Sequence, residues 1–198
     1  KGAYWDYEIK NAQIKGLKDY PVFTNKQLTD LNYLVTAKRL MECDKLKSSF
    51  ATHNAHSIAS VMSLSKSSKN KIEFQRLYGM GELLYSACHS TYERFPDTTI
   101  YCPVGRHKEL LPYLVRRLLE NGANSSFINK YLNTNIPAKD LAQNPADMIK
   151  EKIDHLDLSN IELPRNLYLP RINSQGFDLN EQDCLQELME EVNQFSEL

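Results

Sequence analysis

Three short runs rich in β-branched and aromatic residues recur along the chain about 25 residues apart, at 49–52 (SFAT), 71–77 (KIEFQRL) and 98–102 (TTIYC). Each precedes a stretch whose apolar residues return every three or four positions, the period of a helix face. The first stretch begins near Asn54 and carries Ile58, Val61, Met62 and Leu64. The second begins near Gly81 with Leu83, Leu84, Ala87 and Tyr92. The third runs from about His107 to Asn121, with Leu111, Leu114, Val115 and Leu118 on one face and Gly122 as its stop. Pro112 fits that helix only in its first turn, so its start stays open. Upstream, Thr24 and Gln27 have capping-box spacing and open a helix with Leu28, Leu31, Val35 and Leu40.

Strands alternating with helices predict an α/β fold, a parallel sheet covered by helices. Two closures are open, a doubly wound sheet or a (β/α)8 barrel. The chain holds three or four such units, whereas a whole barrel takes eight and about 250 residues. From about Leu132 the texture changes. Pro137, Pro145, Pro164 and Pro170 punctuate a polar stretch with helical candidates at 146–153 and 181–195. The latter is amphipathic through Leu185, Leu188, Met189 and Val192, with Glu187, Glu190 and Glu191 on a solvated face. The expectation is one α/β unit over 1–132, then a mostly helical or irregular linker over 133–198 that leads into another domain.

Composition narrows the function classes. With 24 Lys+Arg against 25 Asp+Glu the net charge is -1, so this stretch has no basic footprint for nucleic acid. No apolar run approaches the ~20 residues needed to span a bilayer. The chain opens on Lys1 rather than Met, with no signal-type segment, and the expectation is removal of something upstream or a piece of a longer chain. Four cysteines without CxxC spacing fit a reducing, cytoplasmic compartment better than a disulfide framework or structural zinc. Neither GxGxxG nor GxxxxGK[ST] occurs.

In a parallel β/α sheet, ligands bind beyond the carboxyl ends of the strands. Those positions hold Thr52, His53 and Asn54, then Gln75, Arg76 and Leu77, then Tyr101, Cys102 and Pro103; the opening Gly2, Ala3, Tyr4, Trp5 and Asp6 has the same texture. Singly, each is more simply a satisfied structural group. Together they point to a polar, partly aromatic ligand. Arg116 and Arg117 diverge by about 100° around a helix. One reading is a bidentate clamp on a carboxylate or phosphate. The other, favoured by spacing alone, is a pair of exposed contacts to Glu120 worth a few tenths of a kcal/mol. His53 and His56 lack a third ligand for a metal, and Cys102 lacks a neighbouring base.

At these residues the sequence becomes recognisable. The segments KGAYWD (1–6), YPVFTNK (20–26), FATHNAH (50–56), EFQRLYGMGE (73–82), IYCPVG (100–105) and YLVRRLLENGANSSF (113–127) closely resemble, in order, the proline dehydrogenase domain of the bacterial proline utilization A family. The stretch from IPAKDL through LPRNLYLPR to Gly176–Asp178 is similar to the passage toward that family's aldehyde dehydrogenase domain.

The resemblance implies a distorted (β/α)8 barrel holding FAD, of which this chain would supply the second half, about β5 to α8. The implied reaction takes hydride from C5 of L-proline to flavin N5, gives Δ1-pyrroline-5-carboxylate, and passes electrons to a membrane quinone. The parent is then cytoplasmic, peripheral at the inner membrane, with an NAD-dependent glutamate semialdehyde dehydrogenase downstream whose NAD this chain does not bind. By the same resemblance Arg116 and Arg117 clamp the proline carboxylate, and Tyr4, Leu77 and Tyr101 line its ring. Lys1, Gly2, Ala3, Trp5, Thr24, Lys26, Thr52, His53, Asn54 and Gln75 serve the flavin, with Glu120, Ser126 and Phe127 toward the ribose and adenine. No metal is implied. Arg76, Tyr78, Cys102 and Arg106 depart from the family pattern without touching an assigned contact. The family's active-site lysine and aspartate, and a flavin-contacting arginine, fall before Lys1. A half barrel exposes a strand edge, so the chain alone is expected to be inactive and to self-associate. The rival reading is a non-catalytic assembly fragment of the same fold; another is a phosphate-binding barrel enzyme of other chemistry.

Overall fold

A computed structural model of the chain describes residues 4–122, 137–154 and 161–196. The elements run α1 (Trp5–Lys15), α2 (Lys26–Glu42), β1 (Ser48–Ala51), α3 (Ala55–Ser65), β2 (Ile72–Leu77), α4 (Glu82–Thr91), β3 (Thr98–Tyr101) and α5 (His107–Gly122). After these come α6 (Ala138–Leu141), α7 (Pro145–Asp154), a 3-10 turn at Pro164–Asn166, and α8 (Gln182–Ser196). The chain forms two compact units, Gln27–Glu151 and the combination of Lys1–Lys26 with Lys152–Leu198.

In the Gln27–Glu151 unit the strands are parallel in the order β1-β2-β3. Successive strand residues point to opposite faces, and the register aligns Phe50 with Phe74. That face is covered by helices: Ala37 and Met41 of α2, Ile58, Val61 and Met62 of α3, and Tyr85 and Cys88 of α4 close over the two rings. Phe74 is fully buried and stacks on Phe95 with centroids 5.1 Å apart. Burying a ring of this size is worth about 1.5–3 kcal/mol. The other face is polar, with Ser49 of β1, Glu73 and Gln75 of β2, and Thr99 of β3 side by side. Parallel sheets are ordinarily covered on both faces; among the described residues this one is covered by helices on the Phe50–Phe74 face.

The strands and the helices after them fall within a residue or two of the sequence reading. Two details differ. Helix α2 starts at Lys26, so the residue flanking it is the buried Asn25 rather than Thr24. Helix α5 starts at His107, which puts Pro112 in the second turn rather than the first. The helix tolerates the one backbone bond lost there because Glu109 secures its start, accepting from the Arg106 backbone N–H at 3.2 Å and from its guanidinium.

In the second unit, α1 lies against the Pro164–Asn166 turn. Ile9, Ala12 and Pro164 are buried. Tyr20 Oη donates to the Glu162 carbonyl at 2.7 Å, and Gly176 N–H donates to the Gly16 carbonyl at 2.8 Å. A Cβ on Gly176 would sit 1.8 Å from the Lys15 carbonyl oxygen, so only glycine permits this approach. Lys15 faces Asp178 at 3.8 Å. Among the described residues no helix is long and apolar enough to cross a membrane.

Candidate active site at the strand ends

The carboxyl ends of β1 and β2 are closed by side chains. The Leu77 N–H donates to His53 Nε2 at 3.1 Å. An imidazole nitrogen that accepts carries no proton, so the ring's proton lies on Nδ1. Tyr85, from α4, brings its hydroxyl within 2.9 Å of the Thr52 carbonyl and 3.1 Å of the Gln75 carbonyl. Burial pushes that hydroxyl's pKa well above the usual tyrosine value. Asn54 caps α3, its Oδ1 accepting from the His56 N–H at 2.9 Å, and Thr52 Oγ1 accepts from the Asn54 N–H at 3.1 Å.

The β2–α4 turn is built around close packing. Gly81 has φ +72°, and a Cβ there would lie 2.8 Å from His53 Cδ2. Arg76 Nη1 donates to the Met80 carbonyl at 3.2 Å and lies 3.7 Å from Glu82 Oε1, tying the turn to β2. On the polar face, Gln75 Nε2 donates to Glu73 Oε1 at 3.0 Å, while Lys47 Nζ lies 3.0 Å from Oε2. The Gln75 amide and the Lys47 ammonium are the leading causes that hold the Glu73 carboxyl down to about 2.

At the end of β3 a ladder runs back to α5. The Tyr101 and Tyr113 rings have centroids 6.0 Å apart, and the Arg117 guanidinium lies over the Tyr113 ring, 5.4 Å from its centroid. Tyr113 sits four residues before Arg117, one helical turn away. A cation is thereby held on the half-buried Tyr113 ring, whose other neighbour is the exposed Tyr101 at the end of β3.

Residues 1–130 match the family model for proline dehydrogenase. The chain belongs to the proline dehydrogenase family. It is 44% identical over 191 residues to the bifunctional protein PutA of Salmonella typhimurium, covering 90% of this chain and 14% of that protein. To PutA of Rhizobium meliloti it is 41% identical, with 96% of this chain and 16% of the relative covered. A solved structure of proline utilization A with proline bound in remote sites is 44% identical and superposes with a TM-score of 0.85, over 98% of this chain and 20% of that one. The chain thus spans about a seventh of the length of the PutA relative from Salmonella.

Among residues assigned by likeness to the proline dehydrogenase family, Thr52, His53, Asn54, Gln75, Leu77, Tyr101, Arg116 and Arg117 all belong to the sheet unit. The structure joins His53 to Leu77 directly and Tyr101 to Arg117 through Tyr113. Tyr4, Trp5, Thr24 and Lys26 belong to the other unit. There Tyr4 is exposed, and Trp5 Nε1 donates to the Phe23 carbonyl at 2.8 Å, just ahead of Thr24. Lys1, Gly2, Ala3, Ser126 and Phe127 lie outside the described residues, as does the side chain of Glu120, so its pairing with either arginine is not described. Sequence reasoning misses Tyr85, Glu73 and Tyr113, and reads Gly81 only as the start of a helix. Only Tyr113 left a signal, an aromatic four residues before one of two adjacent arginines.

Proposed function

We propose that this chain is part of an FAD-dependent proline dehydrogenase that oxidises L-proline to Δ1-pyrroline-5-carboxylate, within a bifunctional enzyme that carries proline on to glutamate. The observation that carries this reading is the Tyr101–Tyr113–Arg117 ladder. It holds a planar cation beside an aromatic wall, as an amino acid with a carboxylate and a saturated ring requires.

The polar groups at the strand ends fit a flavin. The N-terminus of α3 and His53 bring N–H groups, and the Gln75 amide, whose NH2 is turned to Glu73, brings an oxygen acceptor, to a polar ring system and its phosphates. FAD, when bound, supplies the acceptor for the hydride leaving C5 of proline. The protein's part is positioning. Arg116 and Arg117 bind the carboxylate; Leu77 and Tyr101 line the ring and exclude water, a part that likeness to the family also gives to Tyr4. His53, Asn54 and Thr52 serve the flavin and its pyrophosphate; likeness to the family gives the same task to Thr24 and Lys26, and to Trp5 a stacking face for the adenine.

The one-sided sheet supports a partial (β/α)8 barrel in residues 1–132, completed by the rest of the protein, with 133–198 leading toward an NAD-dependent aldehyde dehydrogenase. Electrons then pass to a membrane quinone at the inner membrane. On this reading the chain by itself oxidises no proline, and it associates through its uncovered sheet.

The test is anaerobic flavin bleaching by L-proline in the full-length protein. Bleaching is expected, and its absence overturns the proposal. In Arg117→Lys, loss of bidentate carboxylate binding is expected to raise the proline KM about 10- to 100-fold, with FAD uptake unchanged.

A further inference from the structure

On the polar face of the sheet, one carboxylate gathers three donors. Glu73 Oε1 accepts from Gln75 Nε2 at 3.0 Å and from Ser49 Oγ at 3.3 Å, and Oε2 accepts from Lys47 Nζ at 3.0 Å. The register makes this possible, since Ser49 is opposite Glu73. The Glu73 side chain is only 15% exposed, whereas Lys47 is 72% exposed. The carboxylate is therefore anchored from β1, from β2 and from the residue leading into β1, two residues below Gln75 on the same face.

An ionised carboxylate only accepts hydrogen bonds. The end of the Gln75 amide turned toward Glu73 must then be its NH2, and the remaining heavy atom of that amide, Oε1, is a pure acceptor. A glutamine in open solvent offers either end by rotating about its last bond. This one cannot turn over without setting its oxygen against the Glu73 oxygens.

We propose that Glu73 is a positioning residue of the cofactor site: by holding the NH2 of Gln75 it leaves Oε1 as the atom presented to the ligand, an acceptor suited to a ring N–H of the flavin. The proposal rests on the reading that Gln75 contacts FAD. It assigns a task to a residue that itself touches no ligand.

A double-mutant cycle on the full-length protein tests it, with FAD affinity and the visible flavin absorption band measured after reconstitution of the apoprotein. Glu73→Gln keeps the size but donates as well as accepts, so the Gln75 amide is released to either orientation. FAD affinity is expected to fall about three- to tenfold, with a shifted absorption band. In a Gln75→Ala background the same change is expected to cost less than about twofold, because the group it acts through is gone. Equal losses in both backgrounds, or an unchanged affinity and spectrum in Glu73→Gln, overturn the proposal. If Glu73→Gln does not fold, Glu73→Asp carries the same cycle, since the shorter side chain draws the acceptor away from Gln75 Nε2. A wild-type protein that takes up no FAD overturns the flavin reading itself, and this inference with it.

Discussion

Tyr85 of α4 and Glu73 of β2 act on groups the sequence does not show them meeting. Tyr85 brings one hydroxyl to the Thr52 and Gln75 carbonyls, which lie where the β1–β2 ladder runs out. Tyr85→Phe keeps the buried ring and removes that hydroxyl. A loss of about 1–2 kcal/mol is expected in urea unfolding, with the backbone at Thr52 loosened. Glu73 carries a pH dependence whose sign follows from its depressed carboxyl, held near 2 when folded. A carboxylate held below its unfolded value stabilises the fold at pH above about 4.3 and loses that contribution as pH falls toward the folded value. Glu73→Gln is therefore expected to flatten the acid limb of stability between about pH 4.5 and 2, checked by thermal unfolding across that range. The strand-end rule finds His53, Gln75, Leu77 and Tyr101 from sequence because it depends only on where strands stop. It misses Tyr85 and Glu73 because their partners are set by cross-strand register and by how α4 lies on the sheet.

At the scale of elements, the turn between β2 and α4 contains a built-in comparison. Gly79 and Gly81 both have left-handed φ, +75° and +72°, but a Cβ on Gly79 meets nothing within 4 Å whereas one on Gly81 meets the His53 ring. Gly79→Ala is expected to cost only backbone strain of about 1 kcal/mol. Gly81→Ala adds displacement of His53 from the Leu77 N–H. It is expected to be the more destabilising by urea titration, and to weaken FAD uptake where Gly79→Ala does not. The sheet-unit elements were legible because each strand run is followed by a clear apolar helical stripe. Helix α1 was not, because its buried stripe holds little beyond Ile9 and Ala12, while Ile14 breaks the pattern at 86% exposed. Pro112 misled in a smaller way, since local preference places proline at a helix start and the Arg106–Glu109 cap set that start earlier.

For the molecule as a whole, one compact unit joins the chain's first 26 residues to those after 152. Nothing local announces this. The joining contacts are a tyrosine to a distant carbonyl and one glycine laid against another segment's backbone. Gly176→Ala is the direct probe, because the added methyl has no space beside the Lys15 carbonyl. Hydrogen exchange is expected to speed up in α1 and around residues 161–178 while β1, β2 and β3 keep their protection. Equal loss in both units would mean that they unfold as one.

The contact of Tyr20 with Glu162 also sets an order of events in time. Its partners are 142 residues apart, so at ribosomal rates α1 exists for about 7 to 30 s before the segment it rests on is made. The residues synthesised in that interval are those of the sheet unit, whose strands pair with near neighbours in the chain. The three strands can thus pair on the ribosome while α1 still waits, so that a helix made before them reaches its final neighbours after them.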